Sequence, residues 1–176
     1  MFRFRPAFAP GRDFSAIPMT DPLHQINISY VAAEDRLLLR ASTRGGNEYR
    51  IWLTRRFCSL LAGIVQKQME KFGGAPVLAA SNEARQLFKQ GAMEQKYETE
   101  NSTSFPLGPS GILAHRINSK INEDGTLALQ LLPGSGEGIT LNLNQTLLYM
   151  FYNLLAQGME QAEWHLAAGR PDAMLH

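Results

Sequence analysis

Cysteine is almost absent from this chain: Cys58 stands alone among 176 residues. One cysteine forms no intramolecular disulfide and no thiolate metal cage, so a reducing, cytoplasmic setting is expected. Long apolar runs are missing as well. The longest, around Leu147 to Ala156, is broken by Asn153 and falls far short of a bilayer span, so no membrane association is expected. Arg3, Arg5 and Arg12 are not followed by the apolar stretch that a secretory signal needs. Charge of one sign is lacking too. Seventeen Lys and Arg balance sixteen Asp and Glu, which is not the strongly basic composition of a protein coated by nucleic acid.

Catalytic signatures are equally scarce. Gly134-Ser135-Gly136-Glu137-Gly138 has the glycines of a phosphate loop, but a strand pattern follows it where a helix N-terminus should hold the phosphate, so a hairpin connection is expected. His24, His115, His165 and His176 lack metal-ligand spacing, and Cys58 has no nearby histidine to activate it. Glu34, Asp35, Glu123 and Asp124 would suit acid-base or cation chemistry if brought together. They sit in equivalent turns, however, where solvated carboxylates are ordinary. The expectation is a non-catalytic protein without metal or cofactor.

What is present is a repeat. In the segment from Arg36 to Thr43, Leu37, Leu39 and Ala41 alternate with Arg36, Arg40 and Ser42, interrupted only by Leu38. Tyr49, Ile51 and Leu53 continue the same inward face after a turn at Arg44 to Asn47. Ile26, Ile28 and Tyr30 supply a preceding strand, so three antiparallel strands are expected. Thr54 then caps a helix with the stripe Phe57, Leu61, Ile64, Val65, Met69 and Phe72, ended by Gly73-Gly74. Carried one fixed distance along the chain, Leu37 meets Leu127, Leu39 meets Leu129, Ile51 meets Leu141 and Leu53 meets Leu143. The cap Thr54 meets Asn144, and Phe57, Leu61, Ile64 and Met69 meet Leu147, Phe151, Leu154 and Met159. Turn, cap and stripe coincide together, which points to a duplicated βββα unit in an α+β protein.

The organisation that follows is a disordered leader over 1–18 and one domain over 19–170, with a tail over 171–176. Met19 opens a stretch that reads as a natural start. The domain holds repeat 1 (26–72), a linker helix from Pro76 to Tyr97 with a Ser/Thr/Pro-rich connector (73–111 together), and repeat 2 (112–166). One sheet face and one helix make too small a core for either unit alone, so the two should pack about a pseudo-twofold axis. A barrel, two layers and a curved saddle all satisfy that pattern. The last helix, from Asn144 to about Leu166, is apolar nearly all round. It is either buried between a sheet and the first helix or forms a homodimer contact.

The two copies differ in charge. Residues 26–72 hold eight Lys or Arg against four Asp or Glu, and residues 112–166 hold two against five. Strand alternation puts Arg36, Arg40, Arg50 and Trp52 on the sheet face opposite the core, with Arg55 and Arg56 at the helix start. Guanidinium groups interleaved with an indole are what single-stranded nucleic acid requires, because phosphates take the cations and bases stack on the ring. An ordinary solvated face, or one covered by the linker helix, is the plainer alternative. These six residues are the candidate ligand-binding set, for an acidic protein or single-stranded DNA or RNA. The nucleic-acid form predicts strong salt dependence and loss of binding in Trp52→Ala.

At Ile51-Trp52-Leu53-Thr54-Arg55-Arg56-Phe57 and at Gly138 to Leu143, a strand runs straight into a capped helix after a meander. This resembles the Whirly and Pur-type single-strand-binding folds, which also repeat a sheet-plus-helix unit. The resemblance implies four strands per repeat, where three are legible here, and the lysine-rich signatures of those folds are absent. Glu34 to Arg40 and Trp52 to Arg56 are also similar to segments of small conserved bacterial proteins, which implies a bacterial source and no mechanism.

Overall fold

The computed structural model describes residues 16–18, 21–74, 97 and 102–164, with the backbone alone for 16–18. Most of the linker helix expected from Pro76, the tail, and residues 1–15 of the expected leader lie outside these. Ala16–Pro18, the last three residues of that leader segment, form a strand, β1.

Each repeat builds the meander its alternation demands. In the first, β2 (Leu23–Val31), β3 (Arg36–Thr43) and β4 (Glu48–Leu53) pair antiparallel, with Leu37 opposite Leu53, Leu39 opposite Ile51 and Ala41 opposite Tyr49. In the second, β6 (Arg116–Ile121), β7 (Leu127–Leu132) and β8 (Gly138–Leu143) do the same, with Leu127 opposite Leu143, Leu129 opposite Leu141 and Leu131 opposite Ile139. β5 is the short Ile112–Leu113. The glycine-rich segment lies in the β7–β8 connection, residues 133–137, with Gly138 opening β8, as a hairpin reading requires.

Both helices begin directly after the third strand of their meander. Thr54 Oγ1 accepts from the Phe57 N–H at 3.3 Å to start α1 (Arg55–Lys71), and Asn144 Oδ1 accepts from the Leu147 N–H at 2.9 Å to start α2 (Gln145–Gln161). α1 ends where Gly73 and Gly74, at φ 96° and 85°, turn their N–H groups back to Glu70 and Met69. α2 ends earlier than its apolar pattern suggested. Glu163 adopts φ 54°, and Trp164 folds into the core instead of continuing the helix.

The pairing of the sheets is not a simple copy. Sheet one has the order β2-β3-β4-β5 and sheet two β1-β8-β7-β6. β5, at the start of repeat 2, adds in parallel to β4 of repeat 1, and β1, ahead of repeat 1, adds in parallel to β8 of repeat 2. Each sheet therefore reaches four strands by borrowing one from the other half of the chain. The helices cross as well. α2 lies on sheet one, close enough that a Cβ on Gly158 would stand 3.0 Å from Leu37 Cδ1 and 3.2 Å from Ile28 Cγ2. α1 flanks sheet two, where Ile64 and Gln68 face Ser119, Ile121 and Leu127 across a groove. The helices also touch each other, and one apolar cluster takes Leu37, Leu39, Ile51 and Leu53 together with Leu127, Leu129, Leu141 and Leu143. Each such buried leucine contributes about 1.5–3 kcal/mol, so neither half keeps its stability without the other.

This arrangement accounts for the apolar girth of α2. Leu148, Met150, Phe151, Leu154 and Leu155 are buried, and Leu147, Tyr149, Tyr152 and Met159 pack against the same core within one chain. The large apolar side chains left exposed among the described residues are Leu60, Leu113 and Ile121, none of them on α2. A homodimer contact is not needed to explain its sequence. No described helix is long and apolar enough to cross a membrane.

Candidate functional site

The outer face of sheet one is where the sequence concentrates its cations, and strand register arranges them in rows. Asn27, Arg40 and Arg50 form one row, and Ser29, Leu38, Trp52 and Leu113 the next, with Val31 and Arg36 beyond. The alternation thus places Arg36, Arg40, Arg50 and Trp52 on one face, as expected from the sequence.

That face is not open along its whole length. Residues 102–114 run beside β4, where Ser104 accepts from the Glu48 N–H at 2.8 Å and the Ala114 N–H donates to Trp52 O at 2.9 Å. Between these ties the chain bulges over the sheet. Arg50 Nη1 donates to the Pro109 carbonyl at 2.7 Å, and Trp52 Nε1 donates to the Ser110 carbonyl at 2.8 Å. Gly111 makes the approach possible: at φ +76°, a Cβ there would stand 2.5 Å from Arg50 O. The Arg40–Arg50 row is therefore covered by Tyr97 and Phe105; the linker helix, which the plainer alternative placed there, lies outside the described residues apart from Tyr97.

Two of the guanidinium groups are committed to this cover. Arg40 Nη2 donates to Asn27 Oδ1 at 2.9 Å, and its guanidinium lies 4.3 Å from the Tyr97 ring centroid. Arg50 lies 4.7 Å from the Phe105 centroid, and its Nε donates at 2.6 Å to Glu48, whose side chain is fully buried. Burial alone would raise the Glu48 pKa. Hydrogen bonds from Arg50 and from Ser102 Oγ, the latter at 2.7 Å, outweigh it and hold the carboxyl below its ordinary value. Burial pushes the Tyr97 hydroxyl up to about 12, so it stays neutral.

Beyond the cover the face opens into a groove of about 410 Å³ lined by Glu34, Arg36, Leu38, Arg50, Trp52, Pro109 and Ser110. Three of the six candidate residues, Arg36, Arg50 and Trp52, meet there. Arg36 has Glu34 at 3.8 Å, a long surface contact that leaves it accessible to an incoming anion. Leu38 and Leu113 flank the indole in register. Arg40 stands one row away beneath Tyr97. Arg55 belongs to a different place, because its Nη2 donates at 2.9 Å to the Trp164 carbonyl and ties α1 to the end of repeat 2. Arg56 is exposed on α1 and does not line the groove.

Several residues of this site were not singled out from sequence. Leu38 carried a signal, being the one apolar residue that broke the β3 alternation. Phe105 was a lone aromatic in a polar connector. Pro109 and Ser110 act through main-chain carbonyls, which leave no trace in side-chain chemistry. The turn acids also depart from simple solvation. Asp35 accepts from Trp164 Nε1 at 3.0 Å and Tyr30 OH at 3.1 Å, which lowers its pKa, and Asp124 accepts from Thr126 N–H and Oγ1. Cys58 is buried, and burial pushes its thiol up to about 12, far from nucleophilic use.

Comparison of the chain with protein-family models, with curated proteins and with solved structures gives no significant match.

Proposed function

We propose that the chain is a non-catalytic binding module that recognises an acidic partner through the groove over Trp52 on the outer face of sheet one. The observation that carries this reading is the meeting of one indole with the guanidinium groups of Arg36 and Arg50 in a single concave site. A volume of about 410 Å³ suits one planar unit at a time. Single-stranded nucleic acid matches it better than an acidic protein, because a base can stack on the indole while its phosphate meets Arg36. A duplex offers no unstacked base to the ring. The likeness to Whirly and Pur-type folds lends the reading architectural support through the repeated sheet-plus-helix unit.

Geometry also bounds the strength of binding. Glu48 neutralises Arg50 and Tyr97 covers Arg40, so the groove presents about one to two cations to phosphates and the salt dependence is correspondingly shallow. A cytoplasmic setting goes with the single cysteine. The alternative of a homo-oligomeric assembly through α2 lacks comparable support, since its large apolar residues are covered by its own chain.

The test is fluorescence anisotropy of a labelled mixed-sequence single-stranded oligonucleotide titrated with the full chain at low and moderate salt, beside a duplex control. Micromolar binding that prefers single strands is expected, with Trp52→Ala weakening it by about 10–100-fold through lost stacking. Arg36→Ala should weaken it less. No binding at low salt would overturn the nucleic-acid reading and direct attention to an acidic protein.

A further inference from the structure

Sheet two leaves one edge strand exposed in a way that sheet one does not. In sheet one the long edge strand β2 lies under α2, which approaches closely because position 158 is glycine. The matching residue of α1 is Gln68, and between α1 and the matching edge strand β6 a groove of about 290 Å³ stands open. Five of the six residues of β6 are exposed, and no described strand pairs with its outer side.

Register tells which backbone groups look outward. The Asn122 N–H donates to Thr126 O at 2.9 Å, extending the β6–β7 ladder. Because hydrogen-bonded pairs alternate along an antiparallel ladder, Asn118 and Lys120 turn their N–H and C=O groups to β7. Ile117, Ser119 and Ile121 turn theirs to the open edge. The groove beside that edge is lined by Lys67, Lys71 and Lys120 together with Ile64 and Ile121, and holds no acidic residue. None of those three lysines has an ion-pair partner among the described residues.

We propose that the β6 edge and its lysine-lined groove take an extended acidic segment of a partner protein as an added strand. The outward N–H and C=O groups of residues 117, 119 and 121 supply main-chain pairing, and the lysines select acidic side chains. Ile64 and Ile121 offer apolar contact for alternate residues. A second copy of this chain is a poor occupant, since edge-to-edge pairing would set Arg116 and Lys120 against the same cations. Nucleic acid would satisfy the lysines and leave the strand edge unpaired. This site is separate from the Trp52 groove and does not depend on it.

The experiment titrates the full chain into a labelled octapeptide of alternating valine and glutamate, beside a valine and lysine counterpart, and follows amide hydrogen exchange at saturation. Binding of the acidic peptide alone is expected, with slowed exchange at Ile117, Ser119 and Ile121. Lys67→Glu with Lys71→Glu, both on the exposed side of α1, should weaken binding by about tenfold or more. Ser119→Pro removes an outward N–H without removing a bond to β7, and should abolish the protection. The proposal is overturned if neither peptide binds or if the acidic peptide binds without protecting β6. It is equally overturned if β6 becomes protected by raising protein concentration alone, or by a single-stranded oligonucleotide in place of the peptide.

Discussion

At matching positions on their outer faces, sheet one carries Leu38, Arg40, Arg50 and Trp52, and sheet two carries Ala128, Gln130, Thr140 and Asn142. On the inner faces the two remain apolar, leucine matching leucine at three positions, with Ile51 matching Leu141, Ala41 matching Leu131 and Tyr49 matching Ile139. The inner residues share one close-packed core, where a change of one methylene is felt across both halves. The outer residues answer only to local surroundings and are open to divergence. Sheet one has used that latitude to build an ionic row, covered by Tyr97 and Phe105 of the same chain, beside an aromatic groove. Sheet two has small neutral side chains there, with Asn118 Nδ2 donating to Gln130 Oε1 at 3.2 Å, and keeps its cations at the β6 edge.

The sharpest break in the comparison is at Glu48, whose counterpart is Gly138. Glu48→Ala would strand Arg50 and release Ser102, and should cost about 3–5 kcal/mol in urea denaturation. Glu137→Ala, in the exposed hairpin of repeat 2, should stay within about 0.5 kcal/mol. Equal costs would mean that the buried pair does not hold the cover in place. The same contrast has a pH signature. Because the Glu48 pKa is lowered in the folded chain, its contribution is fully present above its ordinary value of 4.5 and is lost as pH falls through the lower folded value. Thermal melts taken across that acid range should fall more steeply for the native chain than for Glu48→Gln.

A smaller effect is expected at the helix crossing. Gly158→Gln makes α2 resemble α1 and forces a side chain against Leu37 and Ile28, at a cost of about 1–3 kcal/mol. Gln68→Gly, the reciprocal change, meets no steric barrier, and should cost the helix propensity of about 1 kcal/mol together with the lost burial of the Gln68 side chain. If Gly158→Gln costs nothing, α2 does not press on β2 and the contrast with the open groove beside β6 loses its structural origin. The smallest difference belongs to the caps. Thr54→Ala and Asn144→Ala should each cost about 1 kcal/mol and agree within error, since both bond the same N–H of their helix.

The turns show the same logic on a small scale. Asp35 sits at φ 48°, and its counterpart Gly125 sits at φ 82°. Glycine adopts that backbone without a steric cost, whereas Asp35 keeps a carboxylate there that ties Tyr30 and Trp164. Turn residues that looked equivalent and solvated in the sequence therefore do different work. Of the candidate binding residues, alternation located Arg36, Arg50 and Trp52 correctly on one face. It could not tell that Arg40 would lie under Tyr97 or that Arg55 would reach Trp164, because both depend on where distant segments return.

By itself the sequence determined the repeated meander, the two capped helices and the side of each strand that faces inward. Those features arise from period-two alternation, side-chain capping and glycine at helix ends, all of which act within a few residues. Only the tertiary structure decided that β1 and β5 change sheets, that α2 crosses to the sheet of repeat 1, and that Tyr97 and residues 102–114 cover part of the basic face. An apolar stripe specifies that it must be buried without specifying against which sheet. A strand edge accepts any backbone that reaches it, and the carbonyls of Pro109 and Ser110 bind Arg50 and Trp52 through groups that every residue carries.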